Sequence, residues 1–281
     1  MPKLKDLSLT VSIVCYDSTD QDLKSTLESL LTSLAQLPAA GYQTTCQICF
    51  VDNSVDHKLQ LDLFKPFNGL LDSVNAELRI LKGHGNVGYG KGHNLIIQPS
   101  TDIYHLILNP DVELDRNCLS EGITFLEHNH DVAIVSPYAV TADGHKQHLC
   151  KRYPSVSTFV IRGFFPAWIK KYFRKTLSHH EMHDLPEDLP SHAIPLVSGC
   201  FMLCRTEKLQ LVKGFDENYF MYFEDFDLSL RVGKIGKLAY LPAMKITHHG
   251  GHSAGKGLRH ILLFTKSAIR FFNTYGWRLI Q

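Results

Sequence analysis

The chain has 281 residues, of which 44% are hydrophobic and 20% charged, with a formal net charge of +1. That length buries a substantial core and suits one large domain, or one domain with a subdomain attached. So little net charge excludes binding of nucleic acid or acidic polymers through bulk electrostatics; any attraction to an anion has to be local.

The run 7–15 is β-branched and predicts a first strand. Apolar residues recur at helical spacing over 23–37, with Asp20 or Asp22 near the start and Pro38 after the end. A second strand is expected over 47–51, ending at Asp52-Asn53-Ser54, then a helix over 59–71 and a short strand over 78–81. Next comes the glycine-rich turn Gly83-His84-Gly85-Asn86-Val87-Gly88-Tyr89-Gly90-Lys91-Gly92-His93-Asn94, which opens a helix. A strand over 103–108 runs into Asn109-Pro110-Asp111, followed by a helix over 118–128 and a strand over 132–135. Strand alternating with helix predicts a mainly parallel sheet with helices on both faces. Ligands of such sheets bind beyond the carboxyl ends of the strands, so Asp17, Asp52 and Asp111 are expected along one rim.

The pattern degrades over 151–195, where 159–175 is aromatic and basic and 178–191 reads as a loop. Order resumes at Leu196, a strand is expected around 240–246, and a last helix spans 258–280. Seven scattered cysteines, an odd number in mostly apolar settings, predict reduced buried thiols and a cytoplasmic protein. Cys46 and Cys49 have redox-motif spacing, which alternation along a strand explains better. The stretch after Lys3 and Lys5 is broken by Ser and Thr, so no secretory signal is expected, and no apolar run is long enough to predict a spanning helix.

The most informative stretch is Phe215 to Arg231, in which Glu224, Asp225 and Asp227 sit among aromatic and aliphatic residues. Acids packed that closely into apolar surroundings cost free energy unless a cation, a proton or a partner compensates. A solvated helix start accounts for one or two of them, but not for Phe220, Met221, Tyr222, Phe223 and Phe226 around them. Helical spacing places Glu224, Asp227 and Arg231 along neighbouring turns of one face, which allows an intrahelical salt bridge, and turns Asp225 elsewhere. Asp111, at a strand end, can ligate Mg²⁺ or Mn²⁺, or it can cap backbone amides in a turn. The glycine-rich stretch follows the third strand rather than the first, which weakens a dinucleotide or dehydrogenase reading. His248-His249-Gly250-Gly251-His252 offers imidazole to the same cation or to a diphosphate, or is simply a polar loop.

Taken together, these residues resemble the family 2 glycosyltransferases with a GT-A fold, most closely the rhamnosyltransferase-like bacterial branch. The resemblance runs from Leu9 to Gly251, with the motifs in the family's order. It implies donor nucleotide-sugar contacts from Cys15, Tyr16, Asp17, Asp52, Asn53, Gly85, Asn86, Gly88, Gly90, Lys91, Asn94, Asn109 and Asp111. Asp17 stands where Asn is usual, and Asn109-Pro110-Asp111 resembles an Asp-any-Asp metal motif with a single carboxylate. The acceptor side would involve Ser198, Gly199, Cys200, Tyr222, Asp227 and Arg231, and catalysis Asp225 with Glu224. A Mg²⁺ or Mn²⁺ ion would sit on Asp111 with His248 or His249. The implied organisation is an α/β GT-A domain over 1–257, with a nucleotide-sugar half near 1–115, an acceptor half near 116–257, and a C-terminal amphipathic helix over 258–281.

The implied reaction is an inverting transfer: Asp225 deprotonates an acceptor hydroxyl as it attacks the anomeric carbon. The expected donor is dTDP-L-rhamnose, and the expected acceptor a lipid-linked saccharide or polysaccharide of bacterial surface glycan such as O-antigen, capsule or cell wall. Two alternatives stay open: the same mechanism with a UDP-hexose or UDP-N-acetylhexosamine, and a non-catalytic nucleotide-sugar-binding scaffold. The aromatic-basic segments suit a peripheral position at the inner face of the plasma membrane, or ordinary packing against the core. Self-association is left open, and no nucleic-acid partner is expected.

Overall fold

Strand β1 (Lys5–Cys15) is buried along nearly its whole length, as a central strand covered on both faces should be. Its computed structural model describes residues 4–56, 58–164, 167–250 and 258–279. Helix α1 (Asp20–Leu34) starts one residue after its cap, Thr19, whose hydroxyl accepts from the Asp22 amide at 3.1 Å. Its Leu23, Leu27, Leu30, Leu31 and Leu34 share a face and bury against the sheet. Strand β2 (Tyr42–Asp52) begins well before the expected 47–51, with a half-exposed alternating start. The helix expected over 59–71 is instead a 3₁₀ turn (Leu61–Phe67) followed by short α2 (Asn68–Ser73). Pro66, which lacks an N–H, interrupts that stretch.

The chain continues through β3 (Ala76–Leu81), α3 (Tyr89–Ile97), β4 (Tyr104–Leu108), β5 (Val112–Leu114), α4 (Cys118–His128) and β6 (Val132–Val140). Short β7 (Lys146–Gln147) and β8 (Cys150–Lys151) lead into α5 (Val156–Phe164), α6 (Ala167–Tyr172) and α7 (Arg174–His180). The loop expected over 178–191 therefore begins two or three residues later, at the end of α7. After β9 (Ser191–His192), β10 (Leu196–Val197), β11 (Phe201–Arg205), α8 (Thr206–Leu211) and α9 (Glu224–Val232), strand β12 (Lys237–His248) and helix α10 (Leu258–Tyr275) complete the order. Gly251 and His252, together with Phe165 of the aromatic-basic stretch and Ile280 at the end of the expected last helix, lie outside the described residues.

The main sheet runs β3-β2-β1-β4-β11-β6-β12-β5, with β7 and β9 pairing at β6 and β12. The first four strands are parallel, β11 is antiparallel to both neighbours, and β12 is parallel to β6. Register brings Cys15 opposite Asp52, and Leu108 opposite both Ile13 and Phe201. The carboxyl ends of β1, β2 and β4 and the amino end of β11 thus open on one rim, carrying Asp17, Asp52, Asp111 and the Ser198–Cys200 stretch. Cys46 and Cys49, an odd number of positions apart, point to opposite faces into different core layers. All seven cysteines are free and buried.

Candidate active site

The glycine-rich loop closes the rim from above. Gly88 has φ 87°, a left-handed value, and a Cβ there would lie 2.4 Å from the Phe220 carbonyl oxygen. That oxygen accepts from the Tyr89 amide at 3.1 Å, so the loop is hydrogen-bonded to the segment ahead of α9. Asn86 accepts from the Gly88 amide, and Asn53 donates to the Gly88 carbonyl, which ties the loop to the end of β2. Gly90 and Gly92 lie inside α3, where they allow close packing: added Cβ atoms would meet Phe215 at 2.7 Å and Val14 at 2.9 Å.

Helix α9 delivers the two acids. Tyr222 and Phe223, just before it, both hold left-handed φ (71° and 66°), an unfavourable state for side chains of that size. The aromatic flank holds them there. The Phe223 ring packs at 5.0–5.2 Å on Phe159, Phe264 and Phe271, and the Tyr222 hydroxyl meets His260 Nδ1 at 3.0 Å. The turn sends Asp225 toward the turn ahead of β11. There the Gly199 amide donates to Oδ2 at 3.0 Å and the Phe226 amide to Oδ1 at 2.9 Å. Burial raises the Asp225 carboxyl above its ordinary range, against the pull of those amides and of the Lys151 ammonium. Burial and then Asp225 push Glu224 up to about 8, and its Oε2 is buried without a hydrogen-bond partner. The pair therefore holds a proton at neutral pH, and Glu224 is the better keeper.

Asp111 occupies the opposite bank. Burial, the largest influence, would raise its carboxyl; His248 beside it, its own amide and Asn109 together bring it below the usual carboxylate value. His248 Nε2 lies 3.5 Å from Asp111 Oδ1, an oxygen that is buried and accepts no hydrogen bond. Gln147 fixes the imidazole: its Nε2 donates to the His248 carbonyl, so its Oε1 faces Nδ1 at 2.8 Å. With Nδ1 turned to Gln147, Nε2 is the ring nitrogen left beside the carboxylate, and imidazole nitrogen with carboxylate oxygen is a donor set that fits a divalent cation. Among the described residues no group of three His, Cys, Asp or Glu could hold a metal alone. The turn ahead of β11 joins the two banks: the Gly199 amide donates to Asp225 and the next carbonyl, that of Cys200, accepts from the Asn109 amide two residues before Asp111 at 2.9 Å.

The model of glycosyl transferase family 2 matches residues 10–210. The chain belongs to that family. An N-acetylglucosaminyl-diphospho-decaprenol L-rhamnosyltransferase of Mycobacterium tuberculosis is 28% identical over 71% of the chain and 69% of its own length. Rhamnosyltransferase WbbL of Escherichia coli is 27% identical over 60% of the chain and 63% of its own length. Among solved structures, GalNAc-T7 with UDP, GalNAc and Mn²⁺ superposes with a TM-score of 0.65 at 15% identity, over 95% of the chain; the chain spans 48% of that protein. The mannosyltransferase PcManGT of Pyrobaculum calidifontis, with GDP-Man and Mn²⁺, gives 0.58 at 13% identity over 93% of the chain and 64% of its own. These neighbours share the GT-A architecture that the sequence resemblance implies.

Several residues expected at the site of this family 2 glycosyltransferase have other partners. Asp227 and Arg231 lie on the far side of α9 from Asp225. Asp227 binds Arg231 at 2.6 Å and the Tyr275 hydroxyl at 2.6 Å, while Arg231 also donates to the Val212 and Gly214 carbonyls. The Asn94 amide bridges the Phe215 backbone, N–H to Oδ1 and Nδ2 to carbonyl, at 2.8 and 2.9 Å. Lys91 pairs with Glu217. Asp52 accepts from the Ser54 and Leu59 amides, which shapes the turn after β2. His249 turns its ring to Glu113 at 2.9 Å; only its backbone amide reaches Asp111, so the imidazole beside that carboxylate is His248. Tyr16 and Asp17 stay exposed on the rim. Tyr89, Gln147 and Lys151 are residues of this site for which the sequence suggested no role.

The Glu224 shift sets a pH dependence. Its folded-state pKa of about 8 lies above the ordinary 4.5, so its stabilising contribution is complete below 4.5 and is lost as pH rises through about 8. Glu224→Gln keeps the side chain neutral at every pH. Its melting temperature relative to wild type is expected to climb across that window and then level off. A difference in thermal melts that stays constant with pH would show that Glu224 is not protonated in the folded state.

Proposed function

We propose that the chain is an inverting glycosyltransferase that moves L-rhamnose from dTDP-rhamnose to a hydroxyl of a lipid-diphosphate-linked saccharide during bacterial surface-glycan synthesis. The observation that carries the reading is Asp225: a half-buried carboxylate, raised yet aimed by two amides, beside Tyr89 and Cys200, with Asp111 and His248 across the cleft. Asp225 takes the proton of the acceptor hydroxyl. That oxygen bonds to the anomeric carbon while the bond from this carbon to the diphosphate oxygen breaks, and the configuration inverts in one displacement. Asp111 and His248 would hold a Mg²⁺ or Mn²⁺ ion together with the donor's phosphates; when bound, that ion supplies charge neutralisation of the diphosphate. Rhamnose is supported by the two rhamnosyltransferase relatives, and the lipid-linked acceptor by the decaprenol in one relative's name.

Thermal shifts test the donor. With Mn²⁺ present, dTDP at a hundredfold excess over its dissociation constant should stabilise the fold by about 2.7 kcal/mol, and without a divalent ion the shift should shrink. Stabilisation by UDP and not dTDP moves the donor to a UDP-hexose or UDP-N-acetylhexosamine, and none from either removes the nucleotide-sugar reading.

Delivery of a lipid-linked acceptor suits the layer built from α5–α7 and α10. Segments 156–175 and 258–281 hold nine Lys and Arg and no Asp or Glu, in a chain of net charge +1. Trp168 (74%), Tyr172 (91%), Leu262 (70%) and Leu279 (67%) stand exposed there, a mixture suited to an anionic lipid surface. The layer is one unit: Phe159 packs on Phe264, and the Val156 and Ser157 amides donate to the Arg278 and Leu279 carbonyls. It borders the base, since the Ser267 hydroxyl donates to the Met221 carbonyl just ahead of α9. Among the described residues no helix is long and apolar enough to cross a membrane, so contact there would be peripheral. The protein should float with phosphatidylglycerol liposomes at low salt and release at high salt; no flotation at low salt ends the membrane proposal.

A further inference from the structure

Gly199 touches both the helix that the glycine-rich loop opens and the base. Its carbonyl accepts from the Tyr89 hydroxyl at 2.6 Å, and its amide donates to Asp225 Oδ2 at 3.0 Å. The three are packed together: a Cβ on Gly199 would lie 3.2 Å from Tyr89 Cε1 and 3.3 Å from Asp225 Cβ. Neighbours on either side are anchored, Ser198 through its amide to the Leu149 carbonyl and Cys200 through its carbonyl to the Asn109 amide. Gly199 itself has no side chain to restrict its torsions. The Tyr89 hydroxyl supplies the missing restraint.

We propose that Tyr89 is a positioning residue: by holding the Gly199 carbonyl, its hydroxyl fixes the amide that aims the Asp225 carboxylate, and so couples the donor-side loop to the base. The inference rests on the reading of Asp225 as the base of glycosyl transfer. Tyr89 is well placed for the role. Its own amide is bonded to Phe220, and its ring lies edge-on to His93 at 4.5 Å and to Phe215 at 6.0 Å. The ring therefore stays put when the hydroxyl is removed, and Tyr89→Phe deletes one hydrogen bond and little else. Movement of the loop, by contrast, would reach Asp225 through Gly199. A small misplacement of a reacting group has a large effect on rate.

The test is a ¹³C carboxyl titration of wild type and Tyr89→Phe, with the Asp225 signal assigned by its loss in Asp225→Asn. The charged groups that face Asp225 are Glu224 on its own helix, Lys151 on β8 and, as neutral acids, Tyr89 on α3 and Cys200 ahead of β11. Removing the hydroxyl leaves Glu224, Lys151 and Cys200 in place, so a change reports on the Gly199 amide. Losing that donor disfavours the carboxylate, so the midpoint should move up and the acid limb of the rate profile with it. Transfer from dTDP-rhamnose at neutral pH should fall roughly tenfold in kcat with donor KM within about twofold. An unmoved midpoint in folded Tyr89→Phe overturns the proposal. So does a raised donor KM with an unmoved acid limb, which would mean that the phenol touches the donor. If wild type transfers no sugar, the functional reading fails, and the titration still decides the positioning role.

Discussion

Asp225→Asn is expected to slow sugar transfer by about 10²–10⁴-fold, the usual worth of a general base, while the protein stays folded and keeps its donor affinity. The substitution preserves shape. One oxygen remains to accept from Gly199 or Phe226, and the new amide nitrogen faces the other donor, a local mismatch rather than a cavity. What disappears is basicity at the point where the acceptor proton has to go. Donor binding should persist because Asp111 and His248 lie on the opposite bank and neither bonds to Asp225. Glu224→Gln should cost far less at neutral pH, since burial already keeps that acid protonated. Single-turnover transfer paired with a thermal shift for dTDP and Mn²⁺ separates rate from binding. Near-normal turnover in a folded Asp225→Asn protein would reassign the base.

How much of this could be read from the chain depends on distance along it. Local signals carried well. The helix expected over 118–128 is found as Cys118–His128, and the acid–arginine spacing within α9 gives the Asp227–Arg231 pair. Strand-end acids fall on one rim because parallel register puts them there. Long-range pairing was not legible. Nothing in β11 announces that it inserts antiparallel between β4 and β6, since both sides of it are apolar up to Arg205 at its end. Tyr89 had no visible role because its partner Gly199 lies 110 positions away.

Two misplacements have physical reasons. The family resemblance implied Asp227 and Arg231 on the acceptor side. Which side of α9 they take is decided by Tyr275, on an element 48 positions further on. His248 and His249 were grouped as metal ligands, although consecutive residues at a strand end face opposite ways. That alternation was already in the sequence and would have separated His248, beside Asp111, from His249, beside Glu113. The aromatic flank of the acids was noticed without an explanation. It serves to hold two left-handed residues in the turn that launches α9.

Arg231→Ala is expected to destabilise the fold by about 3 kcal/mol, the lower end of the cost of breaking a buried ion pair. Asp227 is nearly inaccessible, whereas Arg231 is about one-quarter exposed, so water relieves part of the penalty on the arginine side only. Deleting the guanidinium leaves Asp227 with the Tyr275 hydroxyl alone, and it frees the Val212 and Gly214 carbonyls. Those carbonyls begin the segment that ends in Tyr222 and Phe223, so the loss also loosens the support of α9. Replacing both partners, as Asp227→Asn with Arg231→Met, removes the uncompensated charge and should recover part of the stability. Urea unfolding of the two single variants and the double variant measures the coupling. If the three losses simply add, Asp227 and Arg231 do not act as a pair, and the launch of α9 rests on its aromatic packing alone.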